Sequence, residues 1–121
     1  MKALVIDDEE DVRFIASRAL GGLGGMTVIE AGSGAEGVAR AAAERPDVIL
    51  LDLMMPGMDG AATFLALRAN PLTASIPVIF LTAKAMLREI ERLKKLGAHG
   101  VVLKPFDPKS LAQQVRELIA T

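Results

Sequence analysis

The sequence contains no cysteine, tryptophan or tyrosine, and its four phenylalanines are the only aromatic residues. Without cysteine the chain cannot form disulfides, thiolate metal sites or a cysteine nucleophile. It also lacks an apolar run of the roughly 18 residues that span a bilayer. The acidic residues 7–11 end the first apolar run, which is shorter than the roughly 7 to 15 apolar residues of a signal peptide. These absences predict a cytoplasmic protein that does not act on a membrane.

An excess of charge of one sign is also missing. Lysine and arginine total 14 against 15 for aspartate and glutamate, which gives a formal net charge of -1. Because domains that bind phosphate backbones normally carry excess positive charge, the composition argues against direct binding of nucleic acid. The length of 121 residues is that of one domain with one sizeable core. We therefore expect residues 1–121 to form a single domain.

Short apolar runs alternate with amphipathic segments along the chain. The apolar runs predict strands over residues 3–6, 27–30, 48–51, 78–81 and 101–103. Segments with a period near 3.6 residues predict helices over about 11–20, 35–45, 61–68, 86–96 and 109–120. The first, third and fourth strands are almost continuously apolar, as parallel strands buried on both faces are. The pattern predicts an α/β fold, a (βα)5 doubly wound parallel sheet.

Several helix boundaries have signals of their own. The run Gly21-Gly22-Leu23-Gly24-Gly25 predicts the end of the first helix and a mobile turn. Ser33 and Glu36 have the spacing of a capping box at the start of the second helix. Asp107 followed by proline predicts the start of the last helix.

Polar side chains follow four of the predicted strands. Asp7 and Asp8 follow the first strand, Asp52 the third, Thr82 the fourth and Lys104 the fifth. Each has a structural interpretation on its own, such as a solvated turn, a helix cap or a neutralising charge. Ligands of doubly wound sheets, however, bind outside the carboxyl ends of the strands. Four polar sites at one such edge therefore favour a functional site.

The residue types at this edge indicate phosphoryl transfer. Clustered carboxylates repel one another, and Mg²⁺ relieves the repulsion because it prefers oxygen ligands. Since Mg²⁺ shares its ligand shell with phosphate oxygens, the site suits a reaction that depends on positioning and charge stabilisation. Asp52, at the end of a wholly apolar strand, is the best candidate nucleophile for an acyl phosphate. Thr82 and Lys104 would contact phosphoryl oxygens.

The chain closely resembles, over essentially its whole length, the receiver domain of bacterial two-component response regulators. The resemblance rests on VIDDEE at 5–10, LLDLMMPGMDG at 50–60, LTAK at 81–84, GA at 97–98 and KPF at 104–106. The spacings between Asp8, Asp52, Thr82 and Lys104 agree with that family as well. The resemblance implies a flavodoxin-like sheet with strand order 2-1-3-4-5.

The resemblance implies a phosphorylation-activated switch of a two-component system or phosphorelay. Asp52 would accept a phosphoryl group from a phosphohistidine on a histidine kinase or phosphotransfer protein, and the domain itself would supply the catalysis. By the same resemblance, Mg²⁺ is ligated by Asp8, Asp52 and the backbone carbonyl of Met54, and by Asp7 through water. Met54 and Lys84 stand at positions that tune hydrolysis of the acyl phosphate in this family.

The family's pattern also assigns contacts to the phosphoryl group and a switch. Lys104 would pair with the phosphoryl group, Thr82 would donate a hydrogen bond to it, and the amide of Ala83 would assist. The Lys104–Pro105 bond is typically cis in this family. Val101 stands where the family commonly has an aromatic switch residue, and its stiff β-branched side chain has no ring to swing. We therefore expect activation to be transmitted mainly through the loop after Thr82 and the adjoining helix.

Two surfaces are candidates for partner binding. The resemblance implies that the first helix docks the kinase or phosphotransfer protein, and that the face made by the fourth helix, fifth strand and fifth helix binds a downstream protein. Basic residues on the fourth helix form a stripe that is either a solvated face or a docking surface, at Lys84, Arg88, Arg92 and Lys95. His99 is expected to be an exposed loop residue. The first-helix candidates are Val12, Phe14, Ile15 and Arg18.

Other functions fit the sequence less well. A receiver excised from a larger DNA-binding regulator or hybrid kinase remains open as an alternative to a single-domain switch. An aspartate-nucleophile phosphatase needs a second aspartate two positions after its nucleophile, but Met54 and Glu9 occupy those positions after Asp52 and Asp7. We therefore do not expect an enzyme beyond its own phosphoryl transfer and dephosphorylation. A flavodoxin-type carrier is disfavoured because residues 7–10 would repel the phosphate of FMN.

Overall fold

The computed structural model describes residues 1–83 and 87–120, with Leu87 described by its backbone alone. In chain order the strands are β1 (Lys2–Ile6), β2 (Thr27–Ala31), β3 (Val48–Asp52), β4 (Val78–Thr82) and β5 (Gly100–Leu103). The helices are α1 (Glu10–Ser17), α2 (Gly34–Glu44), α3 (Gly60–Ala69), α4 (Leu87–Lys95) and α5 (Leu111–Ile119), and a π-helical segment (Arg18–Leu23) continues α1. No helix in this described part is long and apolar enough to cross a membrane.

The five strands form one parallel sheet in the order β2-β1-β3-β4-β5. This confirms the predicted doubly wound α/β fold and the strand order that the resemblance implies. The strand order reverses between β1 and β3. The chain places β2 on one side of β1 and then crosses over to place β3, β4 and β5 on the other side. At such a point the loops after neighbouring strands diverge to opposite faces and leave a crevice at the carboxyl ends.

Helices cover both faces of the sheet, so there are two apolar layers. Side chains of α2, α3 and α4 pack on one face, where the rings of Phe64 and Phe80 lie 5.7 Å apart. Side chains of α1, the π-helical segment and α5 pack on the other face. Every residue of β3 and β4 is buried, and so are the last four residues of β1. The prediction that these three strands are buried on both faces is confirmed.

The first helix ends differently from the prediction. The glycines at 21 and 22 do not stop it, because after Ser17 the backbone widens into the π-helical segment, which includes both of them. The turn comes later, where the N–H of Gly25 donates to Gly21 O at 2.9 Å and the N–H of Met26 donates to Leu20 O at 2.9 Å. These bonds satisfy carbonyls that a helix stop at Gly21 would leave unpaired.

One of the two predicted capping signals behaves as expected. The Ser33 hydroxyl accepts from the Glu36 N–H at 3.2 Å, and the Glu36 carboxylate accepts from the Gly32 N–H at 2.8 Å. Asp107 instead caps a turn, since its carboxylate accepts from the Lys109 N–H at 3.0 Å. The last helix, α5, therefore begins at Leu111, two residues after the predicted start near Lys109, because this turn precedes it.

Candidate functional site

The carboxyl ends of four strands bring the predicted site residues to one edge of the sheet. Asp7 follows β1 directly, Asp52 is the last residue of β3, and Thr82 is the last residue of β4. Lys104 follows β5, and its backbone N–H donates to the Thr82 carbonyl over 2.9 Å. The four polar residues therefore share one end of the sheet because its strands are parallel.

Three carboxylates converge at this edge. One oxygen from each of Asp7, Asp8 and Asp52 lies within 4.8 Å of the other two. Asp7 and Asp52 are buried, whereas Asp8 is exposed. Carboxylates this close repel one another, and a hard divalent cation with oxygen ligands relieves that repulsion. The donor set fits Mg²⁺, and the exposed side at Asp8 leaves room for the waters that Mg²⁺ retains.

The Lys104 ammonium group lies beside the two buried carboxylates. Its Nζ is 2.9 Å from Asp7 Oδ2 and 3.3 Å from Asp52 Oδ1. The other Asp7 oxygen accepts from the Glu9 N–H at 2.9 Å. Lys104 thus supplies positive charge where two buried carboxylates would otherwise be unbalanced.

Burial and neighbouring charges shift the pKa values of Asp52 and Lys104. Burial, followed by the negative charge of Asp7, raises the pKa of Asp52 from 3.8 to about 6, against the opposing effects of Lys104 and the Met54 N–H. Burial alone would lower the pKa of Lys104, but its hydrogen bond to Asp7 and the charge of Asp52 raise it instead. At neutral pH Asp52 is therefore mostly ionised and Lys104 is protonated.

The remaining predicted contacts lie around Asp52. Thr82 is buried, and its hydroxyl donates to the carbonyl of Ala83 at 3.3 Å. The N–H of Met54 donates to Asp52 Oδ1 at 3.3 Å, while the Met54 side chain is exposed. Ala83 follows β4 and is exposed. The Lys104–Pro105 peptide bond is cis, as the resemblance implies.

Val101 occupies the expected switch position on β5. Its side chain is half-buried and packs against the apolar layer under α2, α3 and α4. The position therefore contributes an aliphatic contact to the core. Our expectation that activation passes through the chain after Thr82 involves residues 84–86, Lys84 among them, which lie outside the described residues.

The predicted docking residues of the first helix lie around two surface depressions. Phe14 is 58% exposed and Ile15 is 45% exposed, and the Arg18 guanidinium lies 5.6 Å from the centre of the Phe14 ring. These three residues line a depression of about 880 Å³ together with the π-helical segment. Val12 is half-buried and lines a second depression, of about 320 Å³, whose other lining residues are Glu9, Ile15, Lys104, Pro105 and Phe106. The second depression thus extends from α1 to the site lysine.

The fourth helix has the predicted amphipathic character. Ile90 and Leu93 are buried, whereas Arg88, Arg92 and Lys95 are exposed. Arg92 forms an ion pair with Glu89 one turn earlier. His99 is exposed in the turn before β5, as predicted.

One residue next to the carboxylates was not predicted from the sequence. Arg13, on α1, donates from Nη1 to the Asp7 carbonyl at 2.7 Å, and its Nε lies 3.4 Å from Glu30 Oε1. The sequence offered only one indication of this contact: Arg13 is a basic residue one turn after Glu9, on the helix that begins at this edge of the sheet. Nothing in that spacing specifies that its side chain turns back over the strand ends.

Comparison with known proteins identifies the family. The response regulator receiver domain matches residues 3–116. The chain belongs to this family. Receiver domains are phosphorylation-activated signalling switches that are not generally classed as enzymes, and they bind Mg²⁺ at a cluster of aspartates. They interact with histidine kinases or phosphotransfer proteins and with downstream effectors.

Individual relatives include both longer regulators and proteins of similar length. The chain is 36% identical over 115 residues to the DNA-binding response regulator MtrA of Mycolicibacterium smegmatis, covering 95% of this chain and 49% of MtrA. It is 36% identical over 118 residues to the probable transcriptional regulator ycf27 of Porphyridium aerugineum, covering 98% of this chain and 48% of that protein. The chain therefore spans about half the length of these curated relatives.

Solved receiver structures agree along nearly the whole chain. The chemotaxis protein CheY4 of Vibrio cholerae superposes with a TM-score of 0.89 at 32% identity and covers 97% of each chain. A putative response regulator from Chloroflexus aurantiacus superposes with a TM-score of 0.89 at 30% identity, covering 99% of this chain and 98% of its own. The fold and the family are thus supported by independent comparisons.

Proposed function

We propose that Asp52 is the residue of this receiver domain that accepts a phosphoryl group from a phosphohistidine. The observation that carries the proposal is the placement of the Asp52 carboxylate. It is buried at the end of a central strand, lies 3.3 Å from the Lys104 ammonium and shares a cluster with Asp7 and Asp8. A carboxylate in such surroundings keeps the charge of a nucleophile while its neighbours hold the phosphoryl oxygens.

The same cluster would hold Mg²⁺. Asp8, Asp52 and the Met54 carbonyl are the proposed direct ligands, and Asp7 is proposed to act through water. The support is the oxygen-rich donor set and the exposed side of the cluster. When bound, Mg²⁺ would offset the negative charge of the carboxylates and the incoming phosphoryl oxygens.

In the proposed transfer, an Asp52 oxygen attacks phosphorus while the bond between phosphorus and the histidine nitrogen breaks. The imidazole leaves with the electron pair of that bond, and Asp52 becomes an acyl phosphate. The Lys104 ammonium, already beside Asp52, would pair with a phosphoryl oxygen. The Thr82 hydroxyl and the Ala83 N–H would donate hydrogen bonds to the other oxygens after Thr82 releases the Ala83 carbonyl.

Intact-protein mass spectrometry tests Asp52 as the acceptor. We expect incubation with acetyl phosphate and Mg²⁺ to add one phosphoryl group to the wild type. Asp52→Asn should gain none, and chelation of Mg²⁺ should abolish the gain in the wild type. A phosphoryl group retained on Asp52→Asn would contradict the assignment, as would a wild type that gains none and does not bind beryllofluoride.

We propose that the phosphodonor protein docks on α1, through Val12, Phe14, Ile15 and Arg18. Two of these side chains are large, apolar and exposed, which is typical of residues that become buried on association. The depression lined by Val12, Ile15 and Lys104 leads from this surface to the site. The downstream protein is proposed to bind the face of α4, β5 and α5, where Arg88 and Lys95 are exposed.

Comparing a protein phosphodonor with acetyl phosphate distinguishes an effect on docking from an effect on the phosphoryl transfer itself. Phe14→Ala should slow phosphorylation by a phosphorylated histidine phosphotransfer protein about tenfold, as loss of a buried aromatic contact does. Phosphorylation by acetyl phosphate, which needs no protein surface, should be unchanged. Leu65→Ala on α3 is a matched control because Leu65 is also an exposed apolar residue. Equal rates for Phe14→Ala and Leu65→Ala with the protein donor would contradict docking on α1.

Residues 1–121 are proposed to act as one receiver domain in either of two settings. One is a single-domain switch with the fold of CheY4. The other is the regulatory part of a DNA-binding regulator, for which the name and greater length of MtrA argue. The reading frame of the gene on both sides of codons 1–121 distinguishes the two.

A further inference from the structure

Asp8 differs from the other two carboxylates of the cluster in how it is held. Asp7 and Asp52 are buried and each contacts Lys104, whereas the exposed Asp8 carboxylate has no hydrogen-bond or ion-pair partner within residues 1–83 and 87–120. The direction of the Asp8 side chain therefore depends on the backbone that carries it. That backbone begins with the peptide bond between Asp7 and Asp8.

The Arg13 guanidinium holds this peptide bond directly. Its Nη1 donates to the Asp7 carbonyl oxygen at 2.7 Å. Because a peptide group is planar, fixing its oxygen limits the rotation of the whole plane and sets the direction in which the chain enters Asp8. The Asp7 N–H, on the other side of that residue, donates to Ala31 O at 3.1 Å.

Arg13 is itself fixed from two further directions. Its Nε lies 3.4 Å from Glu30 Oε1, and its side chain is only 20% exposed. Its Nη1 also lies against the backbone of Gly32, where an added Cβ would be 3.3 Å away. A guanidinium with several fixed donors is better suited to such a position than a flexible ammonium.

We propose that Arg13 is a positioning residue for Mg²⁺, which acts by aiming Asp8 through the peptide bond between Asp7 and Asp8. This inference rests on the proposed function, because it assigns a purpose to Arg13 only if the cluster binds the ion. Arg13 would touch neither the ion nor the phosphoryl group. Groups that orient metal ligands in this way typically change metal affinity about 10- to 100-fold when removed.

Titration of backbone amide NMR signals with Mg²⁺ tests the inference on the full chain. Arg13→Ala should weaken Mg²⁺ binding by about tenfold, and Arg13→Lys should lie between it and the wild type, because an ammonium can still donate to the carbonyl. The matched control is Arg40→Ala, which removes the same charge from an exposed position on α2. It should bind Mg²⁺ as the wild type does.

Phosphorylation by acetyl phosphate supplies a second readout that a purely structural role would not move. For Arg13→Ala, the Mg²⁺ concentration giving half the maximal rate should rise about tenfold, in step with the weaker binding. The rate at saturating Mg²⁺ should stay near that of the wild type, since Asp52, Lys104 and Thr82 are untouched. Both measurements are made below the unfolding temperature of every variant.

The outcomes separate this inference from the function on which it rests. Wild-type Mg²⁺ affinity in Arg13→Ala would overturn the inference alone. If the amide NMR signals of the wild type do not shift when Mg²⁺ is added, the proposed metal site and the inference are both overturned. If Arg13→Ala does not fold, Arg13→Met keeps the apolar stem and removes the donors, and unchanged Mg²⁺ affinity in that variant would overturn the inference equally.

Discussion

At the scale of single residues, the buried carboxylate of Asp52 carries an energetic penalty that Lys104 offsets only in part. Burial and the charge of Asp7 keep the pKa of Asp52 near 6 even with the Lys104 ammonium 3.3 Å away. A group whose folded-state pKa exceeds its unfolded value binds its proton more tightly when folded. Ionising Asp52 therefore destabilises the fold of the metal-free protein.

Removing the charge of Asp52 should consequently stabilise the metal-free protein in a pH-dependent way. The unfolded carboxyl has a pKa of about 3.9, so the wild type loses stability as pH rises from about 4 to 6 and keeps that penalty above pH 6. Asp52→Asn lacks this titration. Its unfolding free energy should exceed that of the wild type by on the order of 2 kcal/mol at pH 7.5, with little difference near pH 3.5.

Urea unfolding followed by circular dichroism, in the presence of a chelator, measures this difference at each pH. Glu91→Gln is a suitable control because it removes one negative charge from an exposed position on α4. A difference in unfolding free energy between Asp52→Asn and the wild type that does not change with pH would contradict the raised pKa as its cause.

At the scale of secondary-structure elements, the strands were predictable to within about a residue at each end. Continuous apolar runs ended by charged or hydroxyl residues identify buried parallel strands and their carboxyl ends, so the site residues Asp7, Asp52, Thr82 and Lys104 followed from the same pattern. The end of α1 and the start of α5 were not predictable in this way. They depend on how backbone groups around Gly25 and Asp107 find hydrogen-bond partners in the folded chain.

The contact between α2 and β1 depends on one small residue. A Cβ at Gly37 would lie 2.4 Å from Ile6 Cδ1 and 2.8 Å from Ile6 Cγ1. Gly37→Ala should therefore lower the unfolding free energy by about 1–3 kcal/mol, because the helix must move away from the strand or Ile6 must change its rotamer.

Chemical denaturation of Gly37→Ala beside Gly22→Ala checks this packing. An added Cβ at Gly22 has no atom within 4 Å outside its own neighbourhood. Gly22→Ala should be neutral or more stable by up to about 1 kcal/mol, because alanine has less backbone freedom to lose. Equal stabilities of the two variants would contradict the close contact of α2 with Ile6.

At the scale of the whole molecule, the site joins residues that are far apart in the sequence. The hydrogen bond from Lys104 to Asp7 connects positions separated by 97 residues. Arg13 could not be predicted for the same reason, since its contact depends on how α1 crosses the ends of β1 and β2. No such arrangement exists in the unfolded chain, so a ligand of the cluster binds the native state selectively.

Mg²⁺ should consequently raise the thermal stability of the wild type. At a concentration roughly ten times its dissociation constant, a ligand specific for the native state adds about 1.4 kcal/mol, which corresponds to a few degrees in Tm. Asp8→Asn should show a smaller rise, because it removes a proposed ligand. Thermal scans at matched ionic strength measure the shift, and an equal rise in both proteins would argue against Asp8 as a ligand.

The connection from Asp7 to Lys104 also has a consequence during synthesis. The ribosome adds Asp52 to the growing chain before Lys104, which stands 52 positions later in the sequence. At roughly 5–20 residues per second, Lys104 is added about 3–10 s after Asp52, the proposed acceptor. A growing chain that ends before Lys104 lacks the ammonium group of the proposed site, so we expect it not to take a phosphoryl group from a donor.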